Sequence, residues 1–100
     1  MNRTEHLLEC LSEECCEVGQ RVSKALRFGL KEIQKGQELT NAQRIVEELH
    51  DLISVAHILY SAGVIGAVWP SPEHTAAKLA KIEKFMEIGR VHGALQEPRP

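Results

Sequence analysis

Aromatic residues are scarce in this chain: two phenylalanines, one tyrosine and one tryptophan make up 4% of its 100 residues. A core built without them is aliphatic, drawn from the Leu, Ile, Val and Ala that dominate the 43% hydrophobic fraction. That composition suits packed helices better than a sheet, which draws on β-branched and aromatic side chains. An excess of positive charge is also missing. Twelve basic residues stand against fourteen acidic ones, a formal net charge of −2, so the chain is not equipped to neutralise polymeric DNA or RNA as a main partner. No apolar run approaches the ~18 residues that span a bilayer, and the N-terminal segment has no signal-peptide pattern. The expectation is a cytoplasmic protein with no membrane partner. Cysteines are few: Cys10, Cys15 and Cys16, an odd set within one predicted helix. Neighbouring positions on a helix point about 100° apart, so Cys15 and Cys16 do not pair readily, and all three are read as reduced, partly buried residues. His50 and His57 lack the ligand spacing of a zinc site, and no triad-like arrangement supplies a nucleophile.

What is present is helical periodicity, in a chain short enough to form one small domain, expected over residues 1–92, with a frayed tail at 93–100. Leu7, Leu8, Leu11, Cys15, Val18, Val22, Ala25 and Leu26 recur at three- and four-residue steps. They predict a long amphipathic helix, capped near Thr4 and ending near Phe28-Gly29 or one to two turns beyond. Residues 29–39, with Gly29 and Gly36, read as a connection holding about one further helical turn. Thr40-Asn41-Ala42-Gln43 has the form of a capping box, opening a second helix through Ile45, Val46, Leu49, Leu52, Ile53, Ala56 and Leu59 that stops near Ser61-Ala62-Gly63. Ser71-Pro72-Glu73 starts a third, with Ser71 as cap, Pro72 in the first helical position and Glu73 at the positive end of the dipole. Its apolar stripe runs through Leu79, Ile82, Phe85, Met86 and Gly89.

Two acidic clusters lie within these helices: Glu13-Glu14-x-x-Glu17 in the first and Glu48-x-x-Asp51 in the second. Residues three or four apart share a helical face, so each cluster projects at least two carboxylates in one direction. Carboxylates facing each other across two packed helices form an oxygen cage suited to a hard divalent cation. At 100° per residue, Glu14 and Glu48 fall at the edges of the apolar stripes, Glu17 and Asp51 a little further round, and Glu13 nearly opposite the core. Val55 and Ile58 continue apolar character on the side of Glu48 and Asp51, as the wall of a groove would. On the first helix the same side carries Arg21, Lys24 and Phe28. Lys24 lies two turns from Glu17, roughly 10 Å along the axis, the reach of a triphosphate held by metal at one end and a cation further on. Phe28 is placed either to stack on a base or to close the helix end.

The paired motif in this helical setting resembles the all-α nucleoside triphosphate pyrophosphohydrolases, the MazG-like enzymes. The resemblance spans Leu7 to about Tyr60, and the run Ser23-Lys24-Ala25-Leu26-Arg27-Phe28-Gly29 is similar to small members encoded by phages and prophages. The connection at 29–39 is longer than the family pattern and would border the base. The resemblance implies Mg²⁺, with Mn²⁺ as an alternative, held by Glu14, Glu17, Glu48 and Asp51. It implies hydrolysis of a nucleoside triphosphate to the monophosphate and pyrophosphate, with Glu13 or Glu17 taking the proton of the attacking water. Arg21 and Lys24 would hold the phosphates and Phe28 the base. It also implies an all-α helical bundle of three main helices, completed to a four-helix arrangement by forming a homodimer or homotetramer. The competing reading is a catalytically silent helical module, acting as an interaction surface or a nucleotide-binding regulator.

Overall fold

In the computed structural model, which describes residues 1–96, the chain forms three helices, α1 (Arg3–Phe28), α2 (Asn41–Ser61) and α3 (Pro72–Val91), and no strand among the described residues. The chain divides into two compact units, Met1–Val68 and Trp69–Pro100, a boundary inside the span 1–92 expected as one domain.

The first unit is an antiparallel helical hairpin. Asn41, at the start of α2, reaches the end of α1 by donating from Nδ2 to the Gly29 carbonyl at 2.8 Å, while Glu48 further along α2 meets Glu14 and Glu17, well back along α1. Each helix end has a local cause. α1 begins two residues earlier than a Thr4 cap would place it, because Asn2 caps it: its Oδ1 accepts from the Glu5 amide at 2.8 Å. Asparagine is a somewhat better N-cap than threonine, so Thr4 is drawn into the first turn. Gly29 stops α1 in a conformation that L side chains rarely adopt (φ 99°), with its amide on the Ala25 carbonyl. Thr40 and Gln43 form the expected capping box, with backbone-to-side-chain bonds in both directions of 2.9 and 3.2 Å. Gly63 (φ 75°) closes α2 in a Schellman turn, Val64 N–H to Leu59 C=O and Gly63 N–H to Tyr60 C=O.

The connection corrects one expectation: no helical turn forms in it. Turns at Gly29–Glu32 and Gln34–Gln37 take its place. The segment is tied to α2 instead. The Asn41 and Ala42 amides donate to the Glu32 and Leu30 carbonyls, and Asn41 Nδ2 also reaches Glu32 Oε1 at 3.1 Å. These bonds occupy the groups that a further helical turn would use.

The hairpin core is narrow. Ala25 of α1 and Leu59 of α2 are its buried apolar side chains among the described residues. Leu7, Leu11 and Val18 are half-buried, as are Ile45, Leu52, Ile53 and Ala56 across from them. The expected α1 stripe is wider than one partner helix covers, so Val22 and Leu26 face outward, Leu26 at 83% exposure. Cys15, expected in that stripe, is exposed together with Cys16, and only Cys10 is half-buried; all three are free thiols.

In the second unit, Ser71 Oγ accepts from the His74 amide at 3.1 Å and Pro72 takes the first helical position, as expected. Residues 93–95 close α3 in another Schellman turn, with the Ala94 and Leu95 amides on the Gly89 carbonyl. This sets Leu95 against Gly89, where an added Cβ would come within 3.2 Å of the leucine's own. The remainder of the expected tail, 97–100, lies outside the described residues.

Candidate metal centre

Helix geometry brings Glu14 and Glu17 to one face of α1, three residues apart, and the antiparallel partner sets Glu48 opposite. One carboxylate oxygen of each lies within 4.8 Å of the others. All three residues are half-buried. Glu14 Oε2 and Glu48 Oε2 are shielded from water yet accept no hydrogen bond. Shielded carboxylate oxygens without donors lose hydration with nothing in return, and a hard cation is a ligand that three converging carboxylates satisfy.

The electrostatics record the crowding. The Glu17 carboxyl is held above its ordinary value, mainly by the negative charge of Glu14, then by partial desolvation, a side-chain hydrogen bond with Glu14 and the charge of Glu13, while a hydrogen bond with Glu48 opposes them. Ionising Glu17 beside Glu14 therefore costs more than ionising a free glutamate. A divalent cation would relieve the same repulsion.

Asp51, expected as the fourth ligand, is not among the carboxylates brought together, and it is exposed. Its three-residue spacing from Glu48 is the same as that of Glu17 from Glu14, so the helical angle alone does not separate it; aspartate is one methylene shorter than glutamate, and Asp51 lies on the exposed side of α2. Glu13 is exposed as its wheel position predicts, and it touches the site through its charge on Glu17.

The three residues expected along a phosphate track separate. Arg21 lies one turn beyond Glu17 on the same face, half-buried, with Nε and Nη1 shielded from water and donating to nothing. Lys24 is exposed and lines an open groove with Gly19, Gln20, Ser23 and Arg27, none of them a member of the carboxylate group. Phe28 is 53% exposed, so it does not close the core, and the Arg27 guanidinium lies 5.0 Å from its ring centroid. One face of that ring is therefore already occupied by a cation.

Asn41 is the residue whose part the sequence pattern does not announce. Reading it as filler inside a capping box hides a 1% exposed side chain that joins the two helix ends. The one available signal is its type, since asparagine is a poor helix former that serves well where backbone groups must be satisfied. His50 and His57 are exposed on α2, with His57 5.8 Å from the Tyr60 ring. No helix of the described residues is long and apolar enough to cross a membrane. Comparison of the chain with protein-family models, with curated proteins and with solved structures finds no match.

Proposed function

We propose that this protein is a metal-dependent nucleoside triphosphate pyrophosphohydrolase, converting a (d)NTP and water to the (d)NMP and pyrophosphate, with Glu14, Glu17 and Glu48 as the chain's ligands for Mg²⁺ or Mn²⁺. One observation carries the reading. Two water-shielded, unpartnered carboxylate oxygens belong to a group of three acids converging from two helices, a costly arrangement for a surface with no ligand to bind. A bound Mg²⁺ supplies charge neutralisation for the phosphates and acidifies a coordinated water. The chain's own residues do the rest. Glu13 or Glu17 takes the proton of the attacking water. Glu14 and Glu48 keep their negative charge facing the cation, and Glu13 adds to the field at Glu17. Asp51 enters only through a rotamer change or an intervening water. The resemblance of Glu13-Glu14-x-x-Glu17 and Glu48-x-x-Asp51 to the MazG-like pattern points to the same reaction.

The reading includes self-association. A two-helix hairpin is marginal by itself, and Leu8, Val22 and Leu26 of α1 and Val46 and Leu49 of α2 remain exposed. Pairing two hairpins to make four helices covers such faces, giving a homodimer or homotetramer.

The test is an assay of pyrophosphate release from a panel of NTPs and dNTPs with Mg²⁺, repeated with Glu14→Gln and Glu48→Gln. Turnover that depends on Mg²⁺ and collapses in both variants is expected. No release from any nucleotide, or full activity in both variants, sinks the proposal and leaves the silent helical module in its place.

A further inference from the structure

We infer that a second copy of the chain docks antiparallel on α1, on the side of the hairpin that faces away from Glu14, Glu17 and Glu48, so that each metal site stays open and belongs to one chain. This rests on the self-association in the reading above, not on the hydrolysis, and gives it a face and a direction.

The hairpin has two unlike sides. Counted at about 100° per residue from the buried Ala25, Glu14 and Glu17 lie roughly 20° and 80° round in one sense. Leu8, Val22 and Leu26, all exposed, lie roughly 60–100° round in the other. Counted in the same way from the buried Leu59, Glu48 lies roughly 20° round in the first sense, and the exposed Val46, Leu49 and Tyr60 roughly 80–140° in the second. Antiparallel helices seen from one end turn in opposite senses, and their buried residues face each other. Equal senses on the two helices therefore fall on one side. One side presents the carboxylates, with Phe28 and Ile58 as its exposed large apolar residues on the two helices, and the other presents the rest.

The stripe on α1 identifies what covers that second side. Leu8, Ser12, Cys15, Gly19, Val22 and Leu26 recur at alternating steps of four and three, the spacing of a helix–helix seam. All six are exposed. The stripe is laid out alike from either end, with leucines outermost and the small Cys15 and Gly19 in the middle. Turned end for end on a copy of itself, it sets Leu8 against Leu26, Ser12 against Val22 and Cys15 against Gly19, a self-complementary two-fold contact. Charge selects that direction. Glu5, Glu9 and Arg27 lie exposed along one edge of the stripe. The antiparallel register brings Arg27 of one copy between Glu5 and Glu9 of the other, whereas a parallel one sets glutamate against glutamate. Gly19 is an independent sign. Glycine weakens a helix interior relative to alanine, yet a Cβ at Gly19 would meet nothing within 4 Å in its own chain. Packing inside the chain does not call for glycine there; close approach of a second backbone does.

The experiment is sedimentation equilibrium of the full chain, in chelator and in excess Mg²⁺, for the wild type, Gly19→Leu, Arg27→Glu and the charge swap Glu5→Arg/Glu9→Arg/Arg27→Glu. Mg²⁺ binding is followed in parallel by isothermal titration. The dimer dissociation constant should rise roughly tenfold or more in Gly19→Leu, where the added side chain blocks close approach. It should rise roughly fivefold in Arg27→Glu, where two symmetric rim pairs turn repulsive, and return to within about twofold of wild type in the swap. Mg²⁺ affinity should be the same in Gly19→Leu as in the wild type, and dimerisation the same with and without Mg²⁺. Gly19→Leu adds a better helix former into open space, and the swap covers the case in which it fails to fold. A wild type that is monomeric at every concentration overturns the inference and the self-association with it. A dimer unaffected by Gly19→Leu and Arg27→Glu, or a swap that recovers nothing, overturns this face alone. Mg²⁺ binding that disappears with the dimer in Gly19→Leu overturns the one-chain site. Absence of hydrolysis beside the expected results removes the reaction and leaves the interface standing.

Discussion

Glu17 carries the sharpest consequence at the scale of single residues, because its folded-state pKa lies above the ordinary value of 4.5. A carboxyl with a raised folded pKa binds its proton more tightly folded than unfolded. Its favourable contribution is therefore complete below the ordinary value and is lost as pH rises through the folded one. Without metal, thermal stability should decline over that window, and Glu17→Gln, which cannot ionise, should flatten the decline. Melting curves across pH 4 to 7, in chelator and then in excess Mg²⁺, check this. Mg²⁺ should restore the loss in the wild type and much less of it in Glu17→Gln. Equal pH profiles for wild type and variant would show that the three acids do not interact. For activity, Glu48→Gln should cost about 100-fold or more in kcat/KM, since a metal's charge stabilisation is worth several kcal/mol. Asp51→Asn should cost far less, because Asp51 is exposed and outside the carboxylate group. The wheel separated Glu14 and Glu48 from Glu13 correctly but admitted Asp51, because an angle on a wheel takes no account of side-chain length or of where the partner helix lies.

At the scale of elements, the hairpin depends on how its connection is fastened. Asn41 is buried and bonds the Gly29 carbonyl and Glu32. Asn41→Ala leaves the Gly29 carbonyl without that donor and should destabilise the fold by about 1–3 kcal/mol, read from urea denaturation. Thr40→Ala removes the capping hydroxyl and should cost about 1 kcal/mol. If Asn41→Ala costs no more than Thr40→Ala, Asn41 is an ordinary helix residue and the clamp contributes little. The helices themselves were legible in the sequence, caps included: Gly29, Thr40, Gln43, Ser71 and Pro72 act through bonds reaching at most four residues. Asn2 displaced Thr4 as the first cap by a comparably local competition. The connection was not legible, because its turns depend on Asn41, whose partners lie nine and twelve residues away.

For the whole molecule, a core in which Ala25 and Leu59 are the buried apolar side chains among the described residues, beside exposed Val22, Leu26 and Leu49, is the basis for expecting association. Sedimentation equilibrium should give a mass of two or four times the 11.2 kDa chain, and Leu26→Glu should shift the mass towards the monomer and lower the melting temperature. A monomer at all concentrations, with an unchanged melting temperature in Leu26→Glu, would remove self-association from the proposal.

Composition and periodicity by themselves determined that this chain is helical, where α1, α2 and α3 begin and where α2 ends to within a residue or two, and which acids could share a face; the end of α1 was left open by one to two turns. Helix formation and capping are short-range, so a one-dimensional pattern contains them. Tertiary structure alone decided that Glu14, Glu17 and Glu48 converge while Asp51 does not, that Arg21 and not Lys24 lies shielded on the acids' face, and that Asn41 joins the helix ends. Each of these depends on the register and rotation of α1 against α2, and packing across the hairpin sets both.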